Sequence, residues 1–273
     1  MPHPIPGNRT PHRPPAGLHI EDRPAKSTPD DDADDTIVVL VHGSLDGCTS
    51  FNRVLRRMPD VHAVIYDRRG YRRSRAMSPP ALTIADHVND LLAVIAGRTA
   101  VLAGHSYGAT ISLGAALAQP ETVSAVAAYE PPLSWLDWWP VRGSPEAIRA
   151  QDPASFAEGF FRRMVSDDIW NRLPEPARAE RRADGPALVA ELSAIREPVP
   201  PFDPCAVRVP AVIGYGSLTA SHHRRAAEEL AGCMRDARLF EIAGAGHGAH
   251  LTHPDRFAAM VKLALQLGEG RRA

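Results

Sequence analysis

The run Val101-Leu102-Ala103-Gly104-His105-Ser106-Tyr107-Gly108-Ala109-Thr110 constrains this chain more than any other stretch. It reads as a buried strand, then Gly-x-Ser-x-Gly, then a helix of small residues. A serine on so sharp a strand-to-helix turn stands proud at the end of a sheet. The glycines on either side keep neighbouring backbone and side chains from colliding. Gly-x-Ser-x-Gly alone is a common pattern. A strand before it and a helix after it are the setting that makes it a nucleophile elbow.

The rest of the core alternates in the way such an elbow needs. Thr36 to Val41 is a continuous β-branched run, as expected of a strand covered on both faces. Phe51, Val54, Leu55 and Met58 keep helical spacing, and Ala63 to Tyr66 is the next strand. Thr83 caps a helix with Asp86 three residues on, and Ile84, Val88, Leu91, Leu92 and Ile95 share one face before Gly97. Further strands are expected at Ala100 to His105, Val123 to Glu130, Val209 to Tyr215 and Arg238 to Ile242. Helices are expected before Pro120, through Ala226 to Leu230, and over Phe257 to Gly268. Strand–helix alternation of this kind predicts an α/β fold, with a mostly parallel central sheet and helices on both faces.

Two regions depart from the rhythm. Residues 1–35 hold eight of the 26 prolines and end in Asp30-Asp31-Asp32-Ala33-Asp34-Asp35. So proline-rich and acidic a segment cannot bury enough to offset its ordering entropy, so a disordered or loosely attached extension is expected. A short strand near Leu18 to Ile20 is its one structured candidate. Residues 133–204 show no strand pattern. Helices are expected after Asp152-Pro153, with Phe156, Phe160 and Met164 in step, and after Asp184-Gly185-Pro186, with Leu188, Leu192 and Ile195 in step. This stretch reads as a helical cap inserted into a core of 36–132 and 205–270. Trp135, Trp138, Trp139 and Trp170 all fall in it or at its entry. They pack it onto the sheet, line a pocket, or do both.

Composition narrows the function classes. The chain has 273 residues, 23% charged and 44% hydrophobic, with a formal net charge of −1. Nothing in that balance favours nucleic acid or an anionic membrane. Arg68-Arg69, Arg72-Arg73 and Arg181-Arg182 read as solvated surface. No apolar run is long enough for a bilayer or a secretory signal. The three cysteines, Cys48, Cys205 and Cys233, are sparse and form no metal-ligand cluster, which fits a reducing compartment and a cytoplasmic location. No metal or organic cofactor is implied, and the adjacent His222 and His223 read as surface.

A serine nucleophile needs a base and donors for the oxyanion. Of 12 histidines, His247 is the candidate base, in Gly244-Ala245-Gly246-His247-Gly248-Ala249-His250, directly after the last strand. His250 and His253 are its local rivals. His105 and His42 read as structural. The oxyanion donors are expected to be the backbone N–H of Tyr107, after the nucleophile, and that of Ser44 in His42-Gly43-Ser44-Leu45-Asp46-Gly47.

With these residues in view the chain resembles the α/β-hydrolase family. His42-Gly43, then Asp67-Arg68-Arg69-Gly70-Tyr71-Arg72-Arg73-Ser74, then Gly104 to Gly108, then Gly246-His247, arrive in the family's order across about residues 36 to 270. The likeness is specific for fold and far less so for substrate. Two departures stand out. Arg72 takes the place of a glycine common in the family. The family's acid usually follows the strand ending here at Tyr215, yet no carboxylate lies between Asp203 and Glu228. Some relatives similar in fold, certain haloalkane dehalogenases among them, carry the acid one strand earlier. There this chain has Glu130, 24 residues after Ser106. Asp137 and a dyad without an acid are the alternatives.

The resemblance implies a serine hydrolase acting on a small ester, thioester or lactone with an apolar portion. Leu45, Trp135, Trp138, Trp139, Phe160 and Met164 are the expected pocket residues. A serine nucleophile argues against dehalogenase and epoxide hydrolase chemistry, which use aspartate. The alternatives on this scaffold are a cofactor-free lyase, cyclase or acyltransferase, and a non-catalytic ligand-binding relative. The oligomeric state stays open.

Overall fold

The computed structural model describes residues 17–26, 36–140, 143–197 and 199–272. Its strands are β1 (His19–Arg23), β2 (Ile37–Val41), β3 (Ala63–Asp67), β4 (Ala100–His105), β5 (Val123–Tyr129), β6 (Ala211–Gly216) and β7 (Ala237–Ile242). The helices, in chain order, are α1 (Asn52–Leu55), α2 (Ile84–Ile95), α3 (Tyr107–Ala118), α4 (Pro145–Arg149), α5 (Pro153–Met164), α6 (Asp167–Arg172), α7 (Glu175–Ala183), α8 (Gly185–Ala194), α9 (Ser221–Cys233), α10 (Ala249–Thr252) and α11 (Pro254–Arg272).

The strands form one sheet in the order β1-β3-β2-β4-β5-β6-β7. β2 to β7 run parallel, and β1 pairs antiparallel with β3 at the edge, His19 opposite Asp67 and Arg23 opposite Ala63. The expected loose extension therefore contains a real strand in its described part. The acidic run at 30–35 lies outside the described residues.

Strands buried on both faces explain the unbroken apolar runs. Ile37, Val39 and Val41 of β2 face a core shared with α2, α3 and α9, whereas Val38 and Leu40 face the core shared with α1 and α11. Thr83 and Asp86 close a reciprocal capping box at the start of α2, which ends in a left-handed Ala96. Between β5 and β6 the described residues form α4 to α8 and no strand. A third apolar cluster seats these helices on the core: Phe161, Trp170 and Leu188 meet Leu45 and Tyr71 from the loops after β2 and β3.

Cys205 and Cys233 form a disulfide across 28 residues, and Cys48 is free and buried. The expectation of a reducing compartment thus loses its support from cysteine usage. Among the described residues no helix is long and apolar enough to cross a membrane.

Candidate active site

The turn from β4 into α3 is built by what its glycines lack. A Cβ on Gly104 would lie 2.4 Å from Ala109 Cα, and one on Gly108 would lie 2.2 Å from the Val41 carbonyl oxygen. With both absent, the chain passes from β4 into α3 through the single residue Ser106. Ser106 takes φ +53° and ψ −125°, a costly conformation for a residue with a side chain. Gly43 is pressed less tightly, but a Cβ there would still lie 2.9 Å from His105 Nδ1 and 3.0 Å from Ser106 Cβ. Among the described residues, five non-glycine positions have positive φ, and Leu45, Arg72, Ser106 and Glu130 are four of them, all on loops leaving the carboxyl edge of the sheet.

That edge also delivers the other candidates. Glu130 follows β5 with its side chain fully buried. His247 Nδ1 lies 2.6 Å from Glu130 Oε2. Glu130 also accepts from the Gly216 backbone N–H at 2.9 Å through Oε1 and from Thr219 Oγ1 at 3.0 Å through Oε2. The segment after β6, where the family's acid usually stands, here supplies two donors to a carboxylate from β5. Because the carboxylate accepts, His247 Nδ1 carries the proton and its Nε2 is left with the lone pair. Asp137, the alternative acid, is exposed. The His247 loop is braced from behind: His105 Nε2 donates to the His247 carbonyl at 2.8 Å, and Tyr129 Oη donates to the Gly246 carbonyl at 2.8 Å.

Ser44, Ser106, Tyr107 and His247 line one cavity of about 410 Å³. The segment between β5 and β6 also lines it, through the apolar Trp139, Phe160, Met164, Leu192 and Ile195 and the arginines Arg163 and Arg196, and α9 adds His222 and His223. Of the expected pocket residues, Trp139, Phe160 and Met164 lie along this cavity. Leu45, Trp135 and Trp138 are elsewhere. Leu45 is buried against Tyr71 and Trp170. Trp135 lines a separate apolar cavity of about 670 Å³ beside Cys205 and Cys233. Trp138 donates to Glu229 at 3.2 Å under the Arg225 guanidinium, which stands 4.2 Å from its ring. The tryptophans are picked out only by their place in or at the entry of the insertion, which does not say which way the segment turns each ring.

Two further readings need correction. His223 is not on the surface. It is 5% exposed and its ring stacks 4.6 Å from that of His247. Burial, then the neighbouring His247 and His222, push its pKa well below the ordinary histidine value. The arginine clusters are not simply solvated: Arg68 is fully buried against Glu191. Arg72 is mostly buried, pairing with Glu180 and Asp184 and donating to the Leu45 carbonyl at 3.1 Å. Arg182 pairs with Glu158 and Glu175, and Arg181 lies over the Phe161 ring. The signal available in sequence was the string of acids in 133–204 able to neutralise these arginines.

Residues 38–260 match the alpha/beta hydrolase family, and the chain belongs to it. A stretch of 100 residues, 35% of this chain, is 33% identical to the uncharacterized hydrolase YraK of Bacillus subtilis. A stretch of 245 residues, 82% of this chain, is 28% identical to part of the polyketide synthase ThaQ of Burkholderia thailandensis. These matches span only 37% and 11% of the two relatives' lengths. The enol-lactonase of Burkholderia xenovorans LB400 superposes with a TM-score of 0.70 at 19% identity, over 91% of this chain and 96% of that one, a likeness of fold.

Proposed function

We propose that this chain is a serine hydrolase that cleaves a carboxylic ester, thioester or lactone through an acyl-enzyme. One observation carries the reading: Ser106 and His247 face one cavity, and His247 is held through Nδ1 by a buried carboxylate at 2.6 Å. In this mechanism His247 Nε2 takes the Ser106 hydroxyl proton as Oγ bonds to the substrate carbonyl carbon. The backbone N–H groups of Ser44 and Tyr107 hold the resulting oxyanion. Its collapse breaks the bond to the leaving alcohol or thiol, which receives the proton from His247. Water then repeats the sequence, releasing the acid and restoring Ser106. Glu130 keeps the imidazole in the productive tautomer and stabilises its charged form. The apolar residues of the insertion along the cavity, Trp139, Phe160, Met164, Leu192 and Ile195, suit a small substrate with an apolar portion.

The test is turnover of a panel of short esters, thioesters and lactones by the parent and Ser106→Ala. The expected loss is on the order of 10⁶-fold with the fold intact. Undiminished turnover in Ser106→Ala refutes the nucleophile. Reaction in isotopically labelled water separates hydrolysis from lyase or acyltransferase chemistry, because only hydrolysis places solvent oxygen in the product acid.

A further inference from the structure

Arg68 and Glu191 lie 123 residues apart in sequence and form an ion pair at 2.9 Å, with side chains 0% and 1% exposed. Glu191 belongs to α8 of the insertion; Arg68 belongs to the loop after β3. Removing two charges from water is expensive, and such a pair is a poor way to stabilise a fold. Its other contacts indicate what it does.

Arg68 Nε donates to the His42 carbonyl at 2.9 Å, and Nη2 donates to the Gly43 carbonyl at 3.0 Å. Nη1 donates to Glu191 Oε2, and Tyr71 Oη donates to Glu191 Oε1 at 2.6 Å. The guanidinium lies 4.7 Å from the Tyr71 ring and 5.2 Å from the Tyr107 ring. The Arg68 backbone N–H donates to His42 Nε2 at 2.9 Å. That nitrogen must therefore be unprotonated, so His42 Nδ1 carries the hydrogen and donates to the same Gly43 carbonyl at 2.8 Å. Burial, then the Arg68 charge, lowers the His42 pKa to about 4, so its ring is neutral at pH 7.

Two donors thus grip one carbonyl oxygen. That oxygen shares a planar trans peptide with the Ser44 N–H, and the two point in opposite directions. Fixing the oxygen fixes the N–H, and a cation on the oxygen side strengthens the N–H as a donor. We infer that Arg68, held by Glu191, is a positioning residue that aims the Ser44 N–H at the substrate oxyanion. Seating of α8 is then a condition for assembling the oxyanion hole. This inference rests on the serine hydrolase reading.

The test uses the full chain with Arg68→Met/Glu191→Met, which removes both charges together, and Arg68→Lys, which keeps a charge but loses the planar fork. Folding is followed by thermal melting. The expected result in folded variants is a kcat lower by about 10²-fold, with KM within about threefold. Labelling of Ser106 by a fluorophosphonate slows in proportion, and the pH at which activity is half-maximal does not move. A role in stability alone would lower the melting temperature and leave kcat and labelling unchanged per folded molecule. Folded variants whose kcat and labelling rate stay within about threefold of the parent overturn the inference. A parent that neither labels nor cleaves any ester overturns instead the reading it rests on.

Discussion

The loop after β7 and the start of α10 present two histidines three residues apart, and each meets a carboxylate. His247 Nδ1 donates to Glu130 at 2.6 Å; His250 Nε2 donates to Asp46 at 3.2 Å. Chemically the pairs are alike. They differ in which nitrogen is engaged and in what the other one faces. His247 bonds through Nδ1, keeps 18% of its side chain exposed and lines the cavity with Ser106. His250 bonds through Nε2, is 2% exposed and is packed between Phe51, Phe257 and His105. Burial raises the Asp46 pKa, but the His250 hydrogen bond and charge outweigh it and hold the carboxyl well below the usual range. A histidine–carboxylate pair is catalytic equipment only where its free nitrogen meets a nucleophile; otherwise it is a buried strut.

The largest effects should fall on the cavity-facing pair. His247→Gln should lower turnover by about 10⁴- to 10⁶-fold, and Glu130→Gln by about 10⁴-fold, through loss of the base and of its tautomer. Steady-state kinetics on folded protein checks both. Comparable losses in His250→Gln would invert the comparison.

The next effect is acid destabilisation. Burial, reinforced by nearby positive charge, depresses the pKa of His42, His87, His105 and His223 below the ordinary 6.5. Above pH 6.5 both states are neutral and the full stability is present. Below it the unfolded chain takes up protons that the folded chain refuses, so stability falls with pH, for His42 down to about 4. Each such imidazole adds a slope of about 1.4 kcal/mol per pH unit. Denaturant melts between pH 7.5 and 4.5 should show the decline; a flat profile would mean these rings are charged in the fold.

The smallest effect sharpens the contrast. Asp46→Asn and His250→Gln should each cost about 1–3 kcal/mol of unfolding free energy while turnover stays within a few-fold of the parent. Denaturant midpoints and kcat measured on one preparation decide it.

Much of this was legible in the residues. The Gly104 to Gly108 turn, the unbroken apolar strands and the Thr83–Asp86 box are local patterns, each set by a few adjacent residues, and each appears where expected. The pairing of Glu130 with His247 was reachable because the stretch after β6 offered no rival carboxylate. His223 and Arg68 were misjudged because polar residues read as exposed until their partners are known. Their partners, His247 and Glu191, are 24 and 123 residues away.

Periodicity and the elbow motif by themselves determined a parallel sheet with helices on both faces and a serine at its carboxyl edge, because strand pleat, helix pitch and glycine sterics act over short spans of chain. Only the tertiary structure decided that His222 and His223 join His247 along that serine's cavity, that Trp139 rather than Trp135 or Trp138 lines it, and that a buried guanidinium grips the loop beside it. Those outcomes depend on the direction in which distant loops return and on which charges find partners out of water, and neither quantity is written in any single stretch of sequence.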